Sequence, residues 1–332
     1  MRKGLKLLLF AGAAMGGMAY VNYRVGQAYR PAFSALDGEP DLYSWRDGLV
    51  YYEVQGEGMP IVLLHDLGMV SSSYQMKPLV ERLAAGYKVY TMDWLGYGLS
   101  TRPETEYTAG AYEQLLGDFL TDVVKEPAVL VAAGKAAAYA VCLASRRPEL
   151  VTRLVLICPE GLEMPPSPRR LALLTGLRAL LKAPVLGTFV FNLLASRPAL
   201  GWYLRNRIFF DAALASEEVL EYAWVTAHQP GARWAPLSNW TGLTTLAVAD
   251  DLVALQQPVL IGWGQQARQT PVEGIQAFKR LLPSARYRAF DRCGQWPQFE
   301  AAKALGALVR NWIEGKDKGA AAIFPGEVEP EA

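Results

Sequence analysis

Short apolar runs alternate with amphipathic segments along the chain up to about residue 160. The runs at 60–66 (PIVLLHD) and 127–133 (PAVLVAA) are almost continuously apolar, whereas the segment at 72–86 (SSYQMKPLVERLAAG) opens with serines and closes with glycine. Nearly continuous apolar strands separated by helices are typical of a parallel sheet that is covered on both faces. The pattern therefore predicts an α/β fold.

The alternation stops after residue 160 and resumes near residue 256. Helical segments rich in Leu, Phe and Trp fill residues 161–255, and the strand-like run PVLIGWG then restores the earlier pattern. Since the strands resume in the same style, we predict one core formed by residues 42–160 and 256–316 with a helical cap inserted at 161–255.

The two ends of the chain differ from this core. Three basic residues within the first six positions precede the apolar run Leu7–Tyr23, which as a helix would span roughly 25 Å. We expect residues 1–23 to be a signal anchor that places the globular part outside the cytoplasm, or a signal peptide whose cleavage would leave a secreted or periplasmic protein. Residues 24–41 are expected to be a tether, and the small, acidic segment 317–332 a disordered tail.

The composition limits the ligands and cofactors that the chain is expected to bind. The 332 residues carry a formal net charge of +1, which gives no field that would attract nucleic acid. The cysteines (Cys142, Cys158 and Cys293) are scattered and do not indicate disulfides or a metal site, and only two histidines, His65 and His228, occur. No phosphate-binding glycine loop is present, so we expect no cofactor and no metal.

Four motifs follow one another in order at consistent spacing: His65-Asp66-Leu67-Gly68, Asp93–Ser100, Arg147–Val151 and Gly294–Glu300. They resemble the HG oxyanion loop, the D-x-x-G-x-G-x-S turn, the R-P-E-x-V helix end and the G-H-x-P-x-x-E segment of α/β-hydrolases with a cap, such as esterases, epoxide hydrolases and haloalkane dehalogenases. The resemblance implies an α/β-hydrolase fold, with a mostly parallel eight-stranded sheet, helices on both faces and an inserted helical cap.

The catalytic positions that the resemblance implies are occupied by residues without the family's chemistry. The nucleophile position falls on Gly134, the acid position on Ala267 and the histidine position on Gln295. Glycine cannot attack a substrate, and glutamine cannot exchange a proton near neutral pH. A degenerate triad is therefore expected, unless the register is shifted and Ser100 or Ser145 is the true nucleophile.

The expected function is that of a membrane-tethered pseudoenzyme, acting as a binding, scaffold or accessory subunit rather than as an enzyme. A remnant pocket could hold a hydrophobic small molecule; its candidate residues are Asp66, Leu67, Lys135, Glu160 and Trp296. The alternative is an active carboxylic-ester hydrolase or lyase with a non-standard site, in which Asp66, Lys135, Glu160 or one of the cysteines Cys158 and Cys293 supports the chemistry.

The cap combines basic and apolar residues. No acidic residue occurs between Met164 and Phe210, and leucine-rich segments there are flanked by the candidate contact residues Arg169, Arg170, Arg178 and Lys182. Basic residues beside strongly apolar helices are typical of proteins that rest on an anionic bilayer. We expect membrane lipid or a membrane protein complex as the partner; the alternative is that the apolar face only covers the pocket.

Overall fold

The computed structural model describes residues 2–46, 48–162 and 167–316, and the predicted tail at 317–332 lies outside them. Eight strands form one sheet in the order β1-β2-β4-β3-β5-β6-β7-β8. β2 is antiparallel to both its neighbours, and β4, β3, β5, β6, β7 and β8 are parallel. The prediction of a mostly parallel eight-stranded sheet is confirmed. The strands are β1 (Glu39–Trp45), β2 (Gly48–Gln55), β3 (Pro60–Leu64), β4 (Lys88–Met92), β5 (Ala128–Ala133), β6 (Val151–Ile157), β7 (Val259–Gly264) and β8 (Arg286–Phe290).

Helices cover both faces of this sheet because its central strands are apolar on both sides. Every residue of β3, β5 and β7 is buried. One face packs against α2 and α13, and the other against α3, α4 and α11. The helices of the core are α2 (Lys77–Leu83), α3 (Ala109–Phe119), α4 (Ala136–Arg146), α11 (Ile275–Leu281), α12 (Pro297–Glu300) and α13 (Ala302–Ile313).

The remaining helices belong to the N-terminus and to the segment between β6 and β7. They are α1 (Arg2–Gln27), α5 (Pro168–Lys182), α6 (Pro184–Leu194), α7 (Arg197–Tyr203), α8 (Glu217–Ala227), α9 (Trp234–Trp240) and α10 (Ala249–Ala254). A π turn at Leu204–Ile208 extends α7. α7 and α9 lie over the carboxyl ends of the parallel strands, where the cavity described below opens, whereas α10 packs against α4 and α11 of the core.

The N-terminal boundary differs from the sequence-based expectation. Residues 24–41, expected to be a tether, include the end of α1 and the first residues of β1. Four of the seven side chains of β1 are exposed in succession, because it is the edge strand of the sheet. An exposed edge strand lacks the alternating apolar pattern by which strands are recognised, so its start could not be read from the sequence.

The N-terminal helix α1 contacts the cap. The side chain of Asn22 donates a hydrogen bond to the carbonyl oxygen of Val185 (2.9 Å) and accepts one from the side chain of Asn192 (3.1 Å). Across the described ranges, no single helix has both the length and the apolar content needed to cross a membrane. Within the same ranges, one pair of helices has that length and apolar content when taken together. The pair is Arg169–Lys182 and Pro184–Leu194, and it is bent by 99°.

Candidate active site

A tight turn joins β5 to α4 at Gly134. Its φ of +55° lies in the left-handed region, which favours glycine, and its amide donates to the carbonyl oxygen of Ile157 (3.0 Å). A Cβ placed on Gly134 would lie 2.7 Å from Oδ2 of Asp66 and closer still to the carboxyl carbon. A strand, a tight turn and a helix therefore follow one another here, and backbone strain together with Asp66 disfavours a side chain at the central position.

The Asp66 carboxylate is held at this turn by two backbone amides. Its Oδ1 accepts hydrogen bonds from the N–H groups of Leu67 (2.7 Å) and Lys135 (3.0 Å), at the end of β3 and the start of α4. The side chain is mostly buried, and a buried carboxylate is stable only when donors satisfy it. The N-terminus of α4 adds the positive end of the helix dipole. Sequence and backbone thus fix one carboxylate at the position where the resemblance implies an oxyanion loop.

His65 braces the loop that carries Asp66. Its Nδ1 lies 2.6 Å from the carbonyl oxygen of Asp66, and its Nε2 accepts a hydrogen bond from the amide of Trp94 (3.1 Å). Nε2 also lies 3.5 Å from the Asp93 carboxylate, but complete burial outweighs that charge and lowers the pKa of His65. The ring is therefore a neutral structural link between two loops.

A cavity of about 380 Å³ opens in front of the Asp66 carboxylate. The core contributes Asp66, Leu67, Lys135 and Glu160 to its wall, all four of which the sequence had suggested as pocket residues. The rest of the lining consists of Gly68, Met69, Tyr203, Arg207, Asn239, Trp240 and Gln269. The fifth suggested residue, Trp296, is not among them; its buried ring packs against Phe209 with centroids 5.5 Å apart.

Polar and charged groups of both signs face one another across this cavity. Nζ of Lys135 lies 3.7 Å from the carboxylate of Glu160, and both side chains are about one-fifth exposed. From the cap, the hydroxyl of Tyr203 donates to Oε1 of Gln269 (3.2 Å). Burial, and next the Asp66 charge, raise the pKa of Tyr203, so that its hydroxyl stays protonated as a donor.

The cap residues of the cavity were missed at the level of sequence. Tyr203, Arg207 and Asn239 belong to helical segments without a family motif, and Gln269 follows β7 in an irregular loop. The one signal in the sequence was the lack of acidic residues around Arg207. It marks the segment as basic but does not assign a role to any one arginine.

The other two suggested triad positions lie apart from the cavity wall. Gln295 is 2% exposed and exchanges hydrogen bonds with Thr270, its Nε2 donating to the Thr270 hydroxyl (3.1 Å). Ala267 is buried as well. Of the suggested thiols, burial raises the pKa of Cys158 to about 12 and also raises the pKa of Cys293, so neither supplies a thiolate near neutral pH. Among the described residues, no group of three or more His, Cys, Asp or Glu side chains could hold a metal ion.

The model of the "Alpha/beta hydrolase family" matches residues 61–308, which is most of the chain. The chain belongs to the α/β-hydrolase family. The family and fold predicted from the four motifs are thereby confirmed.

Among curated proteins, this α/β-hydrolase is similar to 2-hydroxymuconate semialdehyde hydrolase of Pseudomonas putida, with 26% identity over 270 residues, covering 79% of this chain and 90% of the relative. It is also similar to 2-hydroxy-6-oxo-2,4-heptadienoate hydrolase of Pseudomonas putida (strain F1), with 25% identity over 272 residues, covering 79% and 91% of the two chains. Among solved structures, a serine hydrolase involved in carbazole degradation has a TM-score of 0.69 at 19% identity, covering 83% of this chain and 98% of that one.

These relatives correct the expected function. The prediction of a membrane-tethered pseudoenzyme with a scaffold or accessory role, and with it the prediction that the chain is not an enzyme, is wrong, because the similar proteins are named as hydrolases. The names of these relatives favour the alternative expectation, that of an active hydrolase.

Proposed function

We propose that this α/β-hydrolase cleaves a bond next to a carbonyl group, in the cavity between the sheet and the cap, with Asp66 as the base that activates water. The observation that carries the proposal is the position of the Asp66 carboxylate. It is anchored through Oδ1 on the amides of Leu67 and Lys135, and it lines a cavity large enough for a small organic acid or ester.

The proposed reaction consumes one water molecule. Asp66 removes a proton as the water oxygen forms a bond to the carbonyl carbon, and the bond from that carbon to the leaving group then breaks. The proton passes from Asp66 to the leaving group, and the carboxylate is restored. The Tyr203 hydroxyl is the donor in the cavity wall that would stabilise the negative charge on the carbonyl oxygen.

The substrate class follows from charge in the cavity and from the names of the relatives. Those names describe hydroxy-oxo acids and a semialdehyde, compounds that combine a carbonyl group with a carboxylate. Lys135 and Arg207 are the cations of the cavity wall, where they would favour an anionic end of the substrate. We propose that the carbonyl lies towards Asp66 and the substrate carboxylate towards Lys135 and Arg207.

This proposal does not use the three inherited triad positions. Gly134 has no side chain, and Ala267 and Gln295 supply no group that ionises near neutral pH. We therefore infer that any catalysis is slower than that of a serine triad and comes from a single base with polar donors.

The test is turnover of two substrates by the full-length protein: a 2-hydroxy-6-oxo-dienoate, followed by loss of its absorbance, and a p-nitrophenyl ester of a short acid. The wild type is expected to hydrolyse at least one of them, and Asp66→Asn to lower kcat by about a hundredfold or more, since general-base catalysis contributes roughly that factor. Turnover in H₂¹⁸O should place one labelled oxygen in the acid product.

Asp250→Asn is the matched control, because Asp250 is exposed at the first turn of α10 and takes no part in the cavity. Its kcat should equal that of the wild type. The proposal fails if the wild type turns over neither substrate above the uncatalysed rate, or if Asp66→Asn retains wild-type kcat while unfolding at the same temperature.

A further inference from the structure

Helix α5 is a part of the cap whose side chains are largely left in solvent. Its sequence, PRRLALLTGLRALLK, contains six leucines, yet none of the described residues of this helix is buried. Leu173 is 75% exposed, Leu180 53% and Leu171 50%. A helix of this composition normally packs against other apolar groups, because burial of leucine side chains away from water is favourable.

The neighbouring helices extend this apolar surface. α6 packs against both α5 and α1, and its Leu193 is 61% exposed. On α1, Phe10 is 75% exposed and Leu9 65% exposed. We call the exposed side chains of α1, α5 and α6 the apolar cap surface. Because α5 and α6 pack together, their exposed leucines belong to one surface, and an apolar patch of this kind marks an interaction site.

The charge of the apolar cap surface is positive. Arg169 and Arg170 are exposed at the start of α5, and within the described ranges no carboxylate pairs with either. Further along α5, Lys182 and Arg178 share one carboxylate, that of Glu106, at 2.7 and 3.8 Å. Residues 167–194 contain no aspartate or glutamate. Of the four cations of α5, two therefore share one carboxylate, and the described part of the chain supplies none to the other two.

This charge distinguishes between two occupants. In a symmetric dimer the same patch would meet itself, so the arginines of one copy would approach those of the other, and like charges repel. An anionic bilayer offers the opposite charge together with an apolar interior for the leucines. Leu173 and Leu180 are two turns apart and share one side of α5, and a helix in the plane of the interface places its apolar side at the depth of the acyl chains.

We propose that the apolar cap surface binds the surface of an anionic lipid bilayer, with α5 lying in the interface, Leu173 and Leu180 entering the acyl region and Arg169 and Arg170 contacting lipid phosphates. This binding does not depend on the proposed hydrolysis. It also requires no helix to cross the membrane, in agreement with the absence of a single qualifying helix in the described part of the chain.

The experiment is flotation of the full-length protein with vesicles. One set contains phosphatidylcholine and phosphatidylglycerol in roughly equal amounts, and the other contains phosphatidylcholine alone. The wild type is expected to float with the mixed vesicles. Arg169→Glu with Arg170→Glu should lower its partition by roughly tenfold or more, since each basic residue near an anionic surface adds a severalfold factor. Leu173→Ser with Leu180→Ser should lower partition on both sets.

Arg288→Glu with Lys303→Glu is the matched control, because it makes the same change of net charge at exposed positions on β8 and α13. Its partition should stay near that of the wild type. The proposal is overturned if the wild type does not float with mixed vesicles, or if the Arg169/Arg170 variant and the control lose partition equally. A stable dimer by light scattering that the leucine variant dissociates, without vesicle binding by the wild type, would assign the surface to a second copy of the chain instead.

Discussion

The Asp66 carboxyl group occupies the space that a side chain at position 134 would require. A Cβ on Gly134 would overlap the carboxyl carbon of Asp66, and the φ of +55° would strain any residue other than glycine. The two positions are thus coupled: the carboxylate fits because the glycine is there, and replacement of the glycine is costly while the carboxylate stays.

This coupling predicts a stability effect. Gly134→Ala should lower the free energy of unfolding by about 2–4 kcal/mol, from left-handed strain and from overlap with Asp66. In an Asp66→Gly background, the same substitution should cost only the strain, about 1–2 kcal/mol. Urea denaturation of the four proteins of this double-mutant cycle measures the difference.

Gly110→Ala is the control for this cycle, since Gly110 is in α3 and a Cβ there would meet nothing within 4 Å. It should leave stability unchanged or raise it by about 0.5–1 kcal/mol, as expected for removal of a helical glycine. Equal costs of Gly134→Ala with and without Asp66 would show that the two side-chain positions are independent.

A second prediction concerns pH. Burial lowers the pKa of His65 in the folded protein below the ordinary 6.5, and burial also lowers the pKa of His228. The unfolded chain therefore binds more protons between the folded and unfolded pKa values. The contribution of the two neutral rings to the free energy of unfolding is fully present above about pH 6.5. It is lost as the pH falls towards the folded-state pKa of each ring.

Urea denaturation between about pH 5 and pH 7.5 tests this prediction, because most carboxylates titrate below that window. The free energy of unfolding should fall with decreasing pH, and His228→Asn should reduce the slope while leaving the His65 part. A flat profile across the window in the wild type would contradict neutral, buried histidines.

A third prediction separates binding from chemistry in the cavity. If Lys135 attracts the anionic end of a substrate, Lys135→Met should raise KM for a carboxylate-bearing substrate by about tenfold and leave KM for a neutral ester nearly unchanged. Lys303→Met, which removes an exposed lysine on α13, should change neither value. A similar rise of KM for both substrates would mean that Lys135 acts through the packing of the site.

A fourth prediction concerns the thiols. Cys142, Cys158 and Cys293 are free and buried, and burial raises the pKa of Cys142 and of Cys158 to about 12. A disulfide reagent such as DTNB should therefore react slowly with the native protein and rapidly with three thiols in urea. Hydrolase activity should be retained after treatment with iodoacetamide. Rapid loss of activity when one cysteine of the native protein is alkylated would mean that a thiol belongs to the active site.

The sequence predicted the core of the fold because the buried strands are continuous apolar runs. β3, β5 and β7 fall where those runs were found, whereas the edge strand β1 was missed because exposure removes the pattern. Part of the cavity could be predicted for a related reason. Asp66, Lys135 and Glu160 follow strands at one edge of the sheet, where parallel strands place their carboxyl ends together.

The remaining cavity residues depend on tertiary packing. Tyr203 and Arg207 are brought to the cavity by the way the cap folds over the sheet, and neither belongs to a motif that the sequence offers. The contact between Asp66 and Gly134 could not be predicted either, because in the sequence Asp66 is only one departure from a familiar motif. Only the structure reveals that its side chain fills the place of the missing one at Gly134 and takes both backbone amides there.

The pair of amide hydrogen bonds between Asn22 and α6 has a mechanical consequence. α6 packs against α7, the helix that ends in Tyr203, so the N-terminal helix is connected through two contacts to the ceiling of the cavity. A displacement of α1 relative to α6 would therefore be transmitted to the end of α7, where Tyr203 lines the cavity.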